Sequence, residues 1–247
     1  MNFYKCVLDM ELLKLLDFSS FKGDVEKQFD RLAIRLMNQC VICKEEGRVV
    51  IRNKREAESN PSYYRVVECE FYLYNNSHKD PFTYPRDSDI GEWFFHYSGV
   101  DIAFETLVTD GHLLQCGGIL IRSVEKYSDG QWVELYCGPL VVVGELFNPE
   151  KQYFVNRPME GKKEVSSQII KTKRFGLSCQ ENDKNGTVFC NKQYRYYVER
   201  TSWNAFHSVW KFNTERNEFT ISNKIRYYSA QPKHEDDKTV LDCNGLT

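Results

Sequence analysis

From Tyr63 to Tyr74 the side chains alternate with a period of two, and this alternation limits the possible folds more than any other feature of the chain. Val67, Cys69, Phe71 and Leu73 form one apolar set. Glu68, Glu70, Tyr72 and Tyr74 form the other. Successive side chains of a strand point to opposite faces, so the segment is expected to be a strand whose first set covers a core. The second set places two carboxylates among tyrosines. Aromatic neighbours strip solvent from a carboxylate and favour its neutral form, which suits general acid/base work. Glu68 and Glu70 also sit at i and i+2, so their like charges predict that one of them holds its proton more tightly. An exposed amphipathic edge strand would give the same pattern.

Upstream of this strand the period is helical. Leu8, Leu12, Leu13, Leu15 and Leu16 predict a short helix over 8–16. Asp24 can cap a second helix over 24–39, in which Phe29, Leu32, Ala33, Leu36 and Met37 recur at helical spacing. Residues 52–62 are charged and end at Asn60-Pro61, so they read as a surface loop. Further strands are expected at 92–97, 100–108, 117–124, 132–136, 194–199 and 219–228. Residues 138–147, after Gly138-Pro139, fit a helix or a strand. Residues 150–170 are polar and read as a long loop. The pattern predicts an α+β fold: one compact domain over 1–230 on a curved, mostly antiparallel sheet with flanking helices, then an acidic, frayed tail over 231–247.

At 247 residues the chain can bury a sizeable core. No apolar run approaches the roughly 18 residues of a spanning helix, and 14% aromatic residues are too many for a disordered chain. The nine cysteines show no disulfide framework. With no leader-like start, the expected compartment is reducing: cytoplasm (nucleoid) or nucleus, not secreted. Cys40 and Cys43 form a CxxC pair with no second pair nearby, so they read as buried thiols rather than a metal site.

The net charge of −2 hides a polarised chain. Residues 67–105 carry two basic and eight acidic side chains, and residues 151–200 carry eleven basic and five acidic ones. In the second stretch Lys162, Lys163, Lys171, Lys173, Arg174, Lys192, Arg195 and Arg200 are interleaved with Tyr194, Tyr196 and Tyr197. Cations among aromatics suit a phosphate backbone and stacked bases, although scattered Lys and Arg are also ordinary surface residues.

Two other segments carry candidate site residues. After Gly91, Trp93, Phe95 and Tyr97 alternate with Phe94, His96 and Ser98, and Gly99 permits a turn. Gly117-Gly118-Ile119-Leu120-Ile121-Arg122 is an apolar strand ending in one arginine. His96, His112, His207 and His234 have no Cys or Ser partner at nucleophile spacing and read as core or surface residues. Trp132, Trp203 and Trp210 read as packing residues.

The order of these segments resembles the alkyladenine (3-methyladenine) DNA glycosylase family. The series is Val-Glu-Cys-Glu-Phe-Tyr-Leu (67–73), His78, Tyr-Pro-Arg (84–86), Gly-Glu-Trp-Phe-Phe-His-Tyr-Ser-Gly-Val (91–100), Gly-Gly-Ile-Leu-Ile-Arg (117–122), Cys-Gly-Pro-Leu (137–140), Arg-Phe-Gly-Leu (174–177) and Arg-Tyr-Tyr-Val-Glu-Arg-Thr-Ser-Trp (195–203). It spans about residues 29–205.

The resemblance implies a role for each matching residue. Glu70 would be the general base on the attacking water, and Arg122 would help to place water and phosphate beside it. Tyr72 and Phe95 would stack on a flipped base, with His78 in the same pocket. Ser98 stands where the family carries an aromatic wedge, next to Tyr97 and before Gly99. These three would meet DNA together with Lys171, Lys173, Arg174 and Arg195. Glu105 falls where the family has a pocket Asn and would read the purine edge. The implied activity is hydrolysis of the N-glycosidic bond of alkylated or deaminated purines in DNA by a monomer, as in base excision repair, with no metal or other cofactor. Its transition state is oxocarbenium-like, and a carboxylate both activates water and stabilises the cationic sugar. Two other readings fit the same residues: a nucleic-acid-binding module without turnover, and an N-glycosidase of single strands or nucleosides.

Overall fold

The structure, a computed structural model, describes residues 10–19, 21–45, 48–51, 62–128, 131–146, 154–156, 168–178, 184–199, 203–213, 218–228 and 238–241. In chain order the helices are α1 (Met10–Leu16), α2 (Val25–Ile34), α3 (Pro139–Leu146) and α4 (Lys184–Cys190). The strands are β1 (Ile42–Glu45), β2 (Arg48–Ile51), β3 (Ser62–Asn75), β4 (Trp93–His96), β5 (Gly99–Ala103), β6 (Leu107–Thr109) and β7 (His112–Ser128). They continue with β8 (Gln131–Cys137), β9 (Phe154–Asn156), β10 (Ile169–Thr172), β11 (Arg195–Val198), β12 (Trp203–Asn213), β13 (Glu218–Tyr228) and β14 (Thr239–Val240). The chain is α+β, and among the described residues the strand pairings are antiparallel except β12 with β8 and β2 with β9. Among the described residues no helix is long and apolar enough to cross a membrane.

The Asp24 side chain caps α2 by accepting from the backbone N–H of Glu26 at 2.9 Å. A π-helical turn, Arg35–Gln39, continues this helix, so the expected helix over 24–39 holds with a change of winding at its end. The apolar stripe of α2 covers the odd-numbered face of β3. Phe29 and Phe71 lie with ring centroids 4.8 Å apart, and Phe18 reaches Phe104 at 4.8 Å. Val67, Cys69, Phe71 and Leu73 are fully buried in this layer.

Strand β3 is central. It pairs with β7 along one edge and with β1 and then β11 along the other. Strand β7 also pairs with β5, β6 and β8. It runs well beyond the expected 117–124. The strand expected over 100–108 is two strands, because the chain leaves the ladder after Ala103, where Phe104 N–H donates to the Gly117 carbonyl at 2.9 Å. Residues 138–147, open between helix and strand, contain α3. Short strands occupy 154–156 and begin at 169 within the stretch expected as loop, and the rest of 150–167 lies outside the described residues. The loop expected over 52–62 also falls outside them up to residue 61. In the expected frayed tail, β14 pairs with β10 and Leu241 is buried in the core, so an apolar anchor holds residues 239–241 to the sheet. Cys40, Cys69, Cys116 and Cys137 carry free thiols. Cys190 is disulfide-bonded, which departs from the fully reduced set expected.

Candidate active site

Register carries the two acids of β3 to one face of the sheet. Glu70 pairs with Leu120 on β7 and with Arg195 on β11, and Leu120 pairs in turn with Asp101 on β5. Directly paired residues share a face, so Asp101, Leu120, Glu70 and Arg195 form one row on the side opposite α2. The β3–β7 ladder is irregular between Val66 and Cys69. Glu68 pairs with Ser123 and Cys69 with Ile121, which leaves Arg122 as the extra residue on β7. A bulge re-aims a side chain, and here it turns the Arg122 guanidinium back over the acids.

Glu70 is 0% exposed. Its Oε2 accepts from the Tyr72 hydroxyl at 2.8 Å and lies 3.4 Å from Arg122 Nη1. Its Oε1 accepts from the Phe175 backbone N–H at 2.7 Å. Burial, then the charge of Glu70, push the Tyr72 hydroxyl well above its ordinary range, so it remains a donor. Glu68 is equally engaged. Its Oε1 accepts from Arg195 Nη2 at 2.6 Å, Arg195 Nε at 2.7 Å and Arg122 Nε at 3.1 Å, and its Oε2 accepts from Ser123 Oγ at 2.6 Å. Burial alone would raise the Glu68 carboxyl, but Arg195 and Arg122 outweigh it and hold the group below the usual carboxylate range. Glu68 is therefore not an acid that holds its proton more tightly, because two guanidiniums contact it directly. The Phe175 ring, 67% exposed, lies 5.2 Å from the Arg122 guanidinium and 5.8 Å from that of Arg195.

The structure thus brings Glu70, Tyr72 and Arg122 together. His78 is not joined to them by any described hydrogen bond or ring contact. It is buried against Phe189, Tyr194 and Phe29 on the α2 side of the sheet. Burial, with Arg174 and Lys192 against the opposing pull of Asp80, pushes its pKa down to about 4. Phe95 pairs with Val100, whereas Phe94 pairs with Asp101. The row that contains Glu70 therefore carries Phe94, and Phe95 points to the opposite face. Tyr97 lies in the β4–β5 turn rather than in a strand and is 92% exposed. The strand alternation that would turn it away from the position of Ser98 does not apply there. Ser98 donates its N–H to His96 Nδ1 at 3.3 Å. Gly99 has φ +154°, and an added Cβ would stand 2.5 Å from Pro139 Cβ, so α3 packs directly on this turn. Glu105 is half-buried between β5 and β6, where its carbonyl accepts from Gln115 Nε2.

Three of the cations expected to bind DNA are committed inside the fold. Arg174 and Asp80, both with fully buried side chains, pair at 2.6 Å, and Arg174 also covers the Tyr72 ring at 4.5 Å. Arg195 is held by Glu68. Lys171 pairs with Asp30 of α2 at 3.1 Å. Lys173 is half-buried beyond β10. The acidic and basic stretches of the chain meet each other: Asp80 and Glu68 belong to one, Arg174 and Arg195 to the other. Buried charges need partners, and these partners are internal.

Residues missed from the sequence are Glu68 as an arginine anchor, Ser123, Phe175, and the buried Arg86–Asp101 pair. Arg86 Nη2 lies 2.6 Å from Asp101 Oδ2, and Asp101 Oδ1 lies 3.2 Å from His96 Nε2. Ser98 N–H occupies Nδ1, so Nε2 is the nitrogen that donates to Asp101. The signal for Arg86 was Gly118: a Cβ there would stand 2.9 Å from Arg86 Nε, so this glycine leaves the room that the arginine fills.

No protein-family model matches the chain. Over 157 residues, 56% of its length, it is 29% identical to an uncharacterized protein of Acanthamoeba polyphaga mimivirus. The aligned region spans 63% of that viral protein.

Proposed function

We propose that this protein is an N-glycosylase of damaged purines in DNA, with Glu70 as the general base. The observation that carries this reading is the buried Glu70 carboxylate, held between the Tyr72 hydroxyl and the Arg122 guanidinium under an exposed aromatic ring. Glu70 takes a proton from water, the water oxygen bonds to C1′, and the C1′–N bond breaks with its electron pair leaving on the purine, which takes up a proton. Arg122 holds the water and the neighbouring phosphate oxygen. Lifting the Phe175–Gly176 turn opens Glu70 Oε1 to that water.

The closed state of Glu70 favours a second reading, a nucleic-acid-binding module without turnover. The test is incubation of the protein with duplex and single-stranded oligonucleotides containing hypoxanthine or 3-methyladenine, scored for free base. Release by the wild type, lost in Glu70→Gln with binding retained, is the expected result. Release from single strands alone moves the assignment to a single-strand N-glycosidase. No release from either substrate leaves the binding module.

A further inference from the structure

We propose that Glu68 is a positioning residue that keeps Arg122 shared between two carboxylates, so that Arg122 does not close on Glu70. This inference rests on the glycosylase reading and concerns the same site.

Three features carry it. The first is geometry: the bulge at Arg122 puts its Nε 3.1 Å from Glu68 Oε1 and its Nη1 3.4 Å from Glu70 Oε2. The Glu70 contact is longer than the roughly 2.7–2.9 Å of a charge-assisted hydrogen bond, so Arg122 is held off Glu70 rather than docked on it. The second is anchoring. Arg195 grips Glu68 Oε1 through two nitrogens, and Ser123 Oγ fixes Glu68 Oε2. Glu68 thus has fixed partners from β7 and β11, and its position is set by strands on both sides of β3. The third is charge. Glu68 and Glu70 are matched by Arg122 and Arg195, two negative against two positive, in a site where solvent screens little. A neutral side chain at 68 leaves both arginines with Glu70 as the one anion of the set. Arg122 then closes from Oε2 onto both oxygens of Glu70 as a bidentate pair and competes with the water for Oε1.

The experiment measures single-turnover base release and, separately, the dissociation constant for a duplex bearing a non-hydrolysable 2′-fluoro lesion analogue. Glu68→Gln is expected to slow release about 100-fold, the cost of misplacing a reacting group by an ångström or so, with the dissociation constant within about threefold of wild type. Glu68→Asp should recover a large part of the rate. Ser123→Ala removes a single hydrogen bond from Glu68 and keeps the fold readable if Glu68→Gln does not accumulate. It should slow release about tenfold with binding unchanged. Wild-type rates in both variants, or rate and binding falling in parallel, overturn the role of Glu68 while the glycosylase reading stands. A wild-type protein that releases no base from any substrate overturns both.

Discussion

The Phe175 backbone N–H donates to Glu70 Oε1 at 2.7 Å, so the turn that presents an exposed ring also closes the candidate base. The ring and the N–H can be separated by mutation. Phe175→Ala keeps the hydrogen bond and removes a ring that is mostly in solvent. Thermal stability should move by no more than about 0.5 kcal/mol, as for other exposed positions. Affinity for lesion-containing DNA should fall about tenfold if the ring stacks on a base. Unchanged affinity by fluorescence anisotropy removes Phe175 from the interface.

The Arg174–Asp80 pair is fully buried, and breaking it from one side leaves a cation without a partner. Asp80→Ala should cost about 3–5 kcal/mol in urea unfolding. Replacing both residues with apolar side chains of similar volume should recover most of that loss. A loss below about 1 kcal/mol in the single variant shows that Arg174 is satisfied by its carbonyl partners, Phe71 and Phe189.

His78 has a folded pKa near 4, against about 6.5 for an unperturbed imidazole. Its folded value is the lower one, so the unfolded chain takes up the proton first. The stability that neutral His78 contributes is complete above about pH 6.5 and is lost as pH falls from there toward 4, at up to about 1.4 kcal/mol per pH unit. In His78→Gln the urea midpoint should fall less steeply between pH 6.5 and 4 than in wild type. Parallel curves for the two proteins contradict the burial of a neutral imidazole.

The glycines of β7 set how closely β3 approaches it. A Cβ at Gly117 would stand 2.2 Å from the Tyr72 carbonyl, whereas one at Gly111 meets nothing within 4 Å. Gly117→Ala should cost about 1–3 kcal/mol by overpacking and should slow base release, because it shifts the strand that carries Arg122. Gly111→Ala, with φ +75°, should cost only the local strain of about 1–2 kcal/mol and leave release unchanged. Equal effects on release rule out the spacing of β3 and β7 as a control on the site.

Much of the site is legible in local sequence patterns. The alternation of β3 places Glu70 and Tyr72 on one face, and the apolar run of β7 leads to Arg122. Alternation groups Phe95 with Trp93 correctly, but which of the two faces looks toward Glu70 follows from the pairing of β4 with β5 and does not show in the strand itself. Local pattern goes no further. It fails for Arg174 and Arg195, because a cation in a sequence looks the same whether it meets a phosphate or a buried acid. The short strand β10 and the helix α4 leave no sequence signal, since neither is long enough to show a period.

The sequence by itself determined the helical and two-residue periods, the acids of β3 and the division of charge along the chain, because each is a property of neighbours in the chain. Tertiary structure alone decided which charges cancel. Arg195 reaches Glu68 from 127 residues away and Arg174 reaches Asp80 from 94, and both meetings depend on the sheet's pairings. Ion pairing falls off with distance in space and takes no account of distance along the chain. The closed carboxylate of Glu70 and its shared arginine therefore exist only once the sheet has formed.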